Sequence, residues 1–151
     1  MTPDVFGIEL VLLVPQMDRE HREMINHAQS LRAAVTGGGM PRDEVQLLLK
    51  KLIDSVKNHF ASEEELMLSS GYHGCTAHRK EHKRLLDQVY LVEKELPLGT
   101  IQVGGALACF VEVWMRQHIL GPDKQFALFL NEAARHGVVK AKATVAGRFR
   151  S

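Results

Sequence analysis

Five histidines and two acidic residues in this chain fall at spacings that suit metal binding. They are His21, His59, Glu63, His78, His82, His118 and Asp123. The pairs His59/Glu63 and His78/His82 are each four residues apart. On an α-helix this spacing brings two side chains to within about 40° of one another. Each pair can therefore reach a common ion from one helix face.

The chemistry of these donors narrows the choice of metal. Imidazole nitrogens with a minority of carboxylates favour iron, zinc or copper over magnesium or calcium. Seven ligands are more than one zinc ion takes, which is usually about four. They suit two irons that share bridging carboxylates. The ligand types alone still leave zinc open for some of the histidines.

Length and composition indicate one ordinary globular domain. The chain has 151 residues, of which 45% are hydrophobic and 25% charged. Its net charge of +1 gives no global case for a nucleic-acid partner. The two cysteines form neither a CxxC motif nor a disulfide framework, which favours a reducing compartment. Because neither a membrane-length apolar run nor the basic start of a signal peptide is visible, we expect a cytoplasmic protein without a membrane span.

Apolar side chains recur every three or four residues along four stretches, which predicts four helices. The expected limits are Asp18 to Gly37, Pro41 to Gly71, Cys75 to Pro97, and Leu107 to about Gly137 with an interruption at Gly121-Pro122. Asp18 is a good N-cap for the first helix. Four such helices with short connections predict an all-α, antiparallel up-down-up-down four-helix bundle.

The candidate ligands continue the apolar stripes, so they are expected to point into the core at one end of the bundle. His118 and Asp123 are five residues apart, which leaves them about 140° apart on a regular helix. Pro122 cannot donate a hydrogen bond to the carbonyl of His118, so a kink, bulge or break is expected there. That distortion could turn Asp123 inward.

The two ends of the chain are expected to differ from the bundle. Residues 1–136 should form the bundle with an N-terminal arm, in which Phe6–Val14 packs along the helices. Residues 137–151 form a short basic tail that we expect to be flexible. The remaining histidines, His27, His73 and His136, are expected to be solvated. Glu64 and Glu65 are interpreted as a solvated helix face.

The whole pattern closely resembles the hemerythrin family, and its bacterial single-domain members in particular. The matching stretches are Asp18-Arg19-Glu20-His21, His59-Phe60-Ala61-Ser62-Glu63-Glu64-Glu65-Leu66-Met67, Gly71-Tyr72, His78 with His82, and Trp114 with His118, Ile119 and Asp123. This resemblance covers roughly residues 14–131. It implies two non-haem iron ions, one held by His78, His82 and His118 and the other by His21 and His59. Glu63, Asp123 and an oxo or hydroxo group would bridge them.

By the same resemblance, the iron with two histidines keeps an open position at which dioxygen binds reversibly. An apolar oxygen pocket is expected around it. Its candidate lining residues are Met24, Phe60, Trp114, Met115 and Ile119. The family usually has leucine after the tryptophan, where this chain has Met115. A flexible thioether in that place would alter the tightness of the pocket and the rate of autoxidation.

Three functional hypotheses follow. The first is a non-enzymatic protein that binds dioxygen for storage, buffering or delivery to an oxygen-using partner that the sequence does not identify. The second is a di-iron enzyme acting on peroxide or nitric oxide. The absence of any Glu-x-x-His pair, and of an obvious proton donor beside the ligands, favours binding over catalysis. The third is an oxygen or redox sensor in which the arm or tail responds to the site.

Overall fold

The computed structural model describes residues 7–99 and 103–137. Its helices are α1 (Pro15–Gly37), α2 (Arg42–Ser70), α3 (Cys75–Glu95), α4 (Gly105–His118) and α5 (Lys124–Arg135). A π-helical turn, Ile119–Asp123, joins α4 to α5, so these two form the fourth helix of the bundle. Short 3-10 turns occupy Ile8–Leu10 and Leu96–Leu98. Of the predicted basic tail, only Gly137 falls within the described residues.

The helices form the antiparallel four-helix bundle that the periodicity predicts. Helix α1 packs against α2 and α4, and α2 packs against α3. The apolar stripes meet in one core that includes Leu31, Leu52, Phe60, Leu85 and Phe126. Burial of these side chains is the main stabilising contribution to such a bundle. None of the described helices carries an apolar stretch long enough, and free enough of charge, to cross a membrane.

Two glycines end helices where the sequence predicts. Helix α1 ends at Gly37, and Gly38 follows it with a φ of 62°. Helix α2 ends at Ser70, and Gly71 follows it with a φ of 68°. Both are left-handed backbone conformations, which glycine adopts without the steric cost of a β-carbon. The chain can therefore reverse direction within a few residues between α1 and α2, and again between α2 and α3.

The predicted start of α1 is wrong. The helix begins at Pro15, with Val14 as its N-cap, and proline suits the first helical position because its fixed φ is helical. Asp18 lies inside the first turn. Its carboxylate oxygens accept hydrogen bonds from the backbone N–H groups of Leu12 at 2.8 Å and Leu13 at 3.2 Å. Asp18 therefore holds the arm against α1 rather than capping the helix.

The part of the N-terminal arm that the structure describes packs along the bundle, as expected. Leu10, Leu12 and Val14 are buried in the core. Val11 and Leu13, which alternate with these residues, are 36% and 74% exposed. The arm therefore presents alternate faces to the bundle and to solvent.

Candidate metal centre

The seven candidate ligands meet inside one end of the bundle. His21 comes from α1, His59 and Glu63 from α2, His78 and His82 from α3, His118 from the end of α4, and Asp123 from the end of the π-helical turn. None is more than 5% exposed. Burial of so many polar groups in one place is costly unless they are paired or bind a metal.

The π-helical turn brings the last two of these residues together. In a π-helix the backbone hydrogen bonds join residues five apart, so the spacing between His118 and Asp123 puts both side chains on one face. Nε2 of His118 lies 2.9 Å from Oδ1 of Asp123, and Asp123 is fully buried. The distortion expected at Pro122 is therefore a π-helical turn within a continuous helix.

The ligand atoms fall into two groups with one residue in common. The first group is Glu63, His78, His82, His118 and Asp123, and the second is His21, His59 and Asp123. Oδ1 of Asp123 lies 3.0 Å from Nε2 of His78, whereas Oδ2 lies 2.8 Å from Nε2 of His21. The two oxygens of this carboxylate therefore face different groups.

Glu63 also lies between the groups. Its Oε2 atom is 3.1 Å from Nε2 of His82 and 3.5 Å from Nε2 of His59. Together, Glu63 and Asp123 are the two carboxylates that histidines of both groups approach. The arrangement has the form of two neighbouring ion positions with shared acidic groups.

Unpaired atoms show that the residues fit a metal. Nε2 of His78, His82 and His118 and both carboxylate oxygens of Glu63 are buried without a hydrogen-bond partner among the described residues. These atoms approach one another closely, but without the geometry of hydrogen bonds. Buried polar atoms are rarely left unpaired. A positively charged ion at the centre of the cluster would satisfy them.

The electrostatics of the cluster are strongly perturbed. Burial lowers the pKa of His59 and His78, but contacts with carboxylates, including Asp123, outweigh it and raise these pKa values to about 10 and about 9. Burial raises the pKa of Glu63 and Asp123, but the surrounding histidines outweigh it and the pKa of each carboxyl is lowered. Without an ion, protons on histidines balance the two buried carboxylates.

Two carboxylates outside the cluster hold its histidines, and the sequence reasoning missed both. Oε1 of Glu20 lies 2.9 Å from Nδ1 of His59. Oε1 of Glu64 lies 3.0 Å from Nδ1 of His82, so the interpretation of Glu64 as part of a solvated face is wrong. Each glutamate stands next to a candidate ligand in the sequence, at the level of a histidine on the neighbouring helix. That position was the signal that could have identified both glutamates. Glu65 is exposed, as expected.

The five predicted pocket residues lie in or beside the core. Phe60 stacks flat on the His82 ring at a centroid distance of 3.8 Å. Trp114 is half-buried and stacks parallel to His118 at 6.0 Å. Met24, Met115 and Ile119 are each 1% exposed. Phe60 and Trp114 therefore support the rings of His82 and His118 directly, while the pocket role of all five residues stays a prediction.

Other polar residues separate clearly from the cluster. His73 and His136 are exposed, and His27 is half-buried beside Glu23. Tyr72 is 9% exposed, and burial and then the Glu63 carboxylate raise its pKa. This phenol is a proton-bearing group near the cluster that the sequence reasoning did not single out.

The fold and the cluster together define the class of four-helix-bundle proteins whose interior suits a di-iron site. Residues 12–129 match the family model described as the hemerythrin HHE cation binding domain. The chain belongs to the hemerythrin family.

Similar proteins agree with this assignment. A bacteriohemerythrin of Stenotrophomonas maltophilia is 30% identical over 135 residues, covering 87% of this chain and 86% of that protein. A bacteriohemerythrin of Methylococcus capsulatus is 31% identical over 109 residues, covering 72% of this chain and 82% of that protein. A crystal structure of wild-type hemerythrin superposes with a TM-score of 0.71 at 30% identity, covering 75% of this chain and 85% of that chain.

Proposed function

We propose that this protein holds two iron ions in the buried cluster and binds dioxygen reversibly, without catalysing a reaction. The observation that carries the proposal is the division of a histidine-rich cluster into two groups that share Asp123. Membership of the hemerythrin family supports iron as the metal. The similarity to bacteriohemerythrins supports dioxygen as the ligand.

The proposed division of labour follows the two groups. His78, His82 and His118 would hold one ion, and His21 and His59 the other. Glu63 and Asp123 would contact both ions. The position with two histidines has fewer protein donors, which leaves room there for an external ligand. A pair of ferrous ions in these positions would supply the electrons for reversible binding of dioxygen.

Side chains around the cluster would keep water away from the bound ligand. Phe60 covers one face of the His82 ring, and Trp114 covers the His118 ring. Met115, which follows Trp114, and Ile119, which follows His118, are almost fully buried. A dry, apolar surrounding of this kind limits the access of protons and water, which favours release of the ligand unchanged.

The outer carboxylates would orient the histidines. Glu20 and Glu64 accept hydrogen bonds from Nδ1 of His59 and His82 when these nitrogens carry the proton. That tautomer leaves Nε2 free to bind a metal. Both carboxylates therefore act on the ions only through a histidine.

The test is anaerobic reconstitution with ferrous iron, followed by metal quantification and visible spectra through cycles of oxygen addition and removal. We expect two irons per chain and an absorption band that appears with oxygen and vanishes on its removal. His59→Ala should abolish the band, whereas His27→Ala, outside the cluster, should keep it. Preferential uptake of zinc, or iron that oxidises irreversibly in the first cycle, would contradict the proposal.

A second candidate function has one observation in its favour. Tyr72 and His78 line a surface depression of about 240 Å³, so a proton donor and a way in from solvent lie beside the cluster. Such a site suits a di-iron enzyme acting on peroxide or nitric oxide. Multiple turnovers of either substrate by the iron-loaded protein, lost in Tyr72→Phe, would favour this function over oxygen binding.

A further inference from the structure

The N-terminal arm contacts the π-helical turn that carries Asp123. The 3-10 turn Ile8–Leu10 packs directly against Ile119–Asp123. Within this 3-10 turn Leu10 is completely buried, whereas Ile8, two residues earlier, is 89% exposed. On the side of α4, Oε1 of Glu9 lies 3.2 Å from Nη1 of Arg116. The arm therefore touches the irregular turn and the helix that leads into it.

The backbone of Leu12 joins the helices on either side of the candidate metal centre. Its N–H donates to Oδ1 of Asp18 in α1 at 2.8 Å. Its carbonyl accepts a hydrogen bond from Nδ2 of Asn131 in α5 at 3.0 Å. Asp18 lies one helical turn before His21, and Asn131 lies on the helix that starts directly after Asp123. This connection therefore links α1 to the segment around Asp123, as the contact between His21 and Asp123 also does.

The arm follows this path at a conformational cost. Leu13 has a φ of 62°, a left-handed conformation that is unfavourable for a residue with a β-carbon. Its own side chain is 74% exposed, so burial of that side chain does not offset the cost. The hydrogen bond from its N–H to Asp18 helps to hold the strained backbone. Strain of this kind persists where surrounding contacts over-determine the conformation.

The geometry points to the arm as a brace that positions Asp123, with Leu10 and Asn131 as its positioning residues. The π-helical turn contains Pro122, which has no N–H to donate, so the turn lacks a hydrogen bond that a regular helix would make. Contacts with the arm supply the stabilisation that the turn itself lacks. The metal-binding consequence of this brace rests on the proposed function, whereas its effect on the turn does not.

Two variants of the full-length chain test the brace. Leu10→Ala removes most of a fully buried side chain of the arm, and Asn131→Asp replaces the donor to Leu12 with a group that repels its carbonyl. In the metal-free protein, both should speed hydrogen exchange at the four non-proline amides of Ile119–Asp123 and at that of Lys124. Both should also weaken ferrous iron binding about tenfold in competition with a chelator, as loss of a supporting contact does at metal sites. Leu10→Ile keeps an aliphatic side chain of the same size at this position, and it should leave both properties close to those of the wild-type protein.

Two controls separate positioning from general destabilisation. Ile8→Ala changes an exposed residue of the same turn and should leave exchange and iron affinity unchanged. Leu31→Ala removes a residue of α1 that is as fully buried as Leu10. It should lower the melting temperature without changing exchange at the π-helical turn. An effect of Leu31→Ala on that turn equal to that of Leu10→Ala would overturn the brace.

The remaining outcomes are also decisive. Unchanged exchange at the π-helical turn in both Leu10→Ala and Asn131→Asp would overturn the brace, whatever the metal content. Faster exchange in both variants, together with a wild-type protein that takes up no iron pair, would support the brace and contradict the proposed function. Faster exchange with unchanged iron affinity would overturn the claim that the arm positions Asp123.

Discussion

Each histidine in the cluster has two ring nitrogens, and its neighbours decide which one faces the centre. Nδ1 of His59 and of His82 is occupied by Glu20 and Glu64. Both glutamates are partly exposed, at 22% and 27% for the side chain, so they connect the buried histidines to the protein surface. Carboxylates in this position raise the basicity of a ligating imidazole and fix its orientation.

Replacement of Glu64 should therefore weaken metal binding without touching a ligand. We expect Glu64→Ala to reduce iron affinity roughly 10- to 100-fold, measured by competition with a chelator. Glu65→Ala is the matched control, because Glu65 is the next residue and is exposed. Equal affinities for the two variants would show that Glu64 does not support His82.

Met115 offers a second test at the scale of a single residue. If it lines the oxygen pocket, Met115→Leu should slow autoxidation. A branched leucine side chain is stiffer than the flexible thioether of methionine and would close the pocket more tightly. The change conserves volume and should cost less than about 1.5 kcal/mol of stability. The decay of the oxygenated spectrum measures the rate, with Met40→Leu as an exposed control. An unchanged rate would remove Met115 from the lining.

The π-helical turn is the element on which the geometry of the site depends. In a regular α-helix, Asp123 would point about 140° away from His118 around the helix axis. The turn instead brings their ligand atoms to 2.9 Å without ending the helix, since α5 continues to Arg135. Local irregularities of this type are frequent at functional sites.

Replacement of Pro122 should weaken iron binding and stabilise the helix. Pro122→Ala restores an N–H within the helix, which should stabilise the metal-free protein by up to about 3 kcal/mol. It should also weaken iron binding, since the turn can then relax to a regular helix. Thermal melting of the metal-free protein and chelator competition measure the two effects. Pro97→Ala, in the 3-10 turn that follows α3, is the control. Unchanged affinity in Pro122→Ala would contradict this role of the π-helical turn.

At the scale of the whole molecule, the proposed function implies that the cluster exchanges protons for metal. Without an ion, raised histidine pKa values and lowered carboxyl pKa values make the buried charges mutually stabilising. With ions bound, the histidines must be neutral. The two states of the protein therefore depend on pH in opposite directions.

The metal-free protein should lose stability as the pH rises above neutrality. The pKa of His59 is raised from 6.5 to about 10 on folding. Its contribution is therefore complete below pH 6.5 and lost as the pH rises through about 10. That of His78 is lost through about 9. The iron-loaded protein should keep its melting temperature over this range under anaerobic conditions.

Acid should have the opposite effect on the iron-loaded protein, which should release its metal as the pH falls below the ordinary histidine pKa. Melting temperature and metal content, measured across pH with and without ferrous iron, check both of these pH predictions. Parallel curves for the two forms would contradict the proposed exchange. Metal retained in strong acid would count against histidine ligands.

The four helices were predictable because their signals are local. Apolar residues recur with the helical period, and glycines such as Gly38 and Gly71 permit the reversals between helices. The spacing of His78 and His82 indicates a shared helix face without any knowledge of the neighbouring helices. A distortion after His118 was also predictable, because Pro122 cannot complete the hydrogen-bond pattern of a regular helix.

The incorrect interpretations all concern partners that lie outside the helix carrying the residue. Asp18 has the residue type of an N-cap, but the arm supplies two N–H groups that its carboxylate binds instead. Glu64 lies among acidic residues of a kind that usually face solvent, but α3 brings His82 within hydrogen-bonding distance. A local pattern indicates which kinds of hydrogen-bond partner a side chain could have. It does not indicate which partners the fold brings close to that side chain.

By itself, the sequence determined the helices, their order and the faces on which His59, Glu63, His78 and His82 lie, since each depends on spacing within one segment. Only the tertiary structure decided that Asp123 lies between two groups of histidines, that Glu20 and Glu64 hold the outer nitrogens, and that the arm contacts the π-helical turn. These features depend on which helices adjoin and at what level. Packing of the whole chain sets both, and no single stretch of residues carries that information.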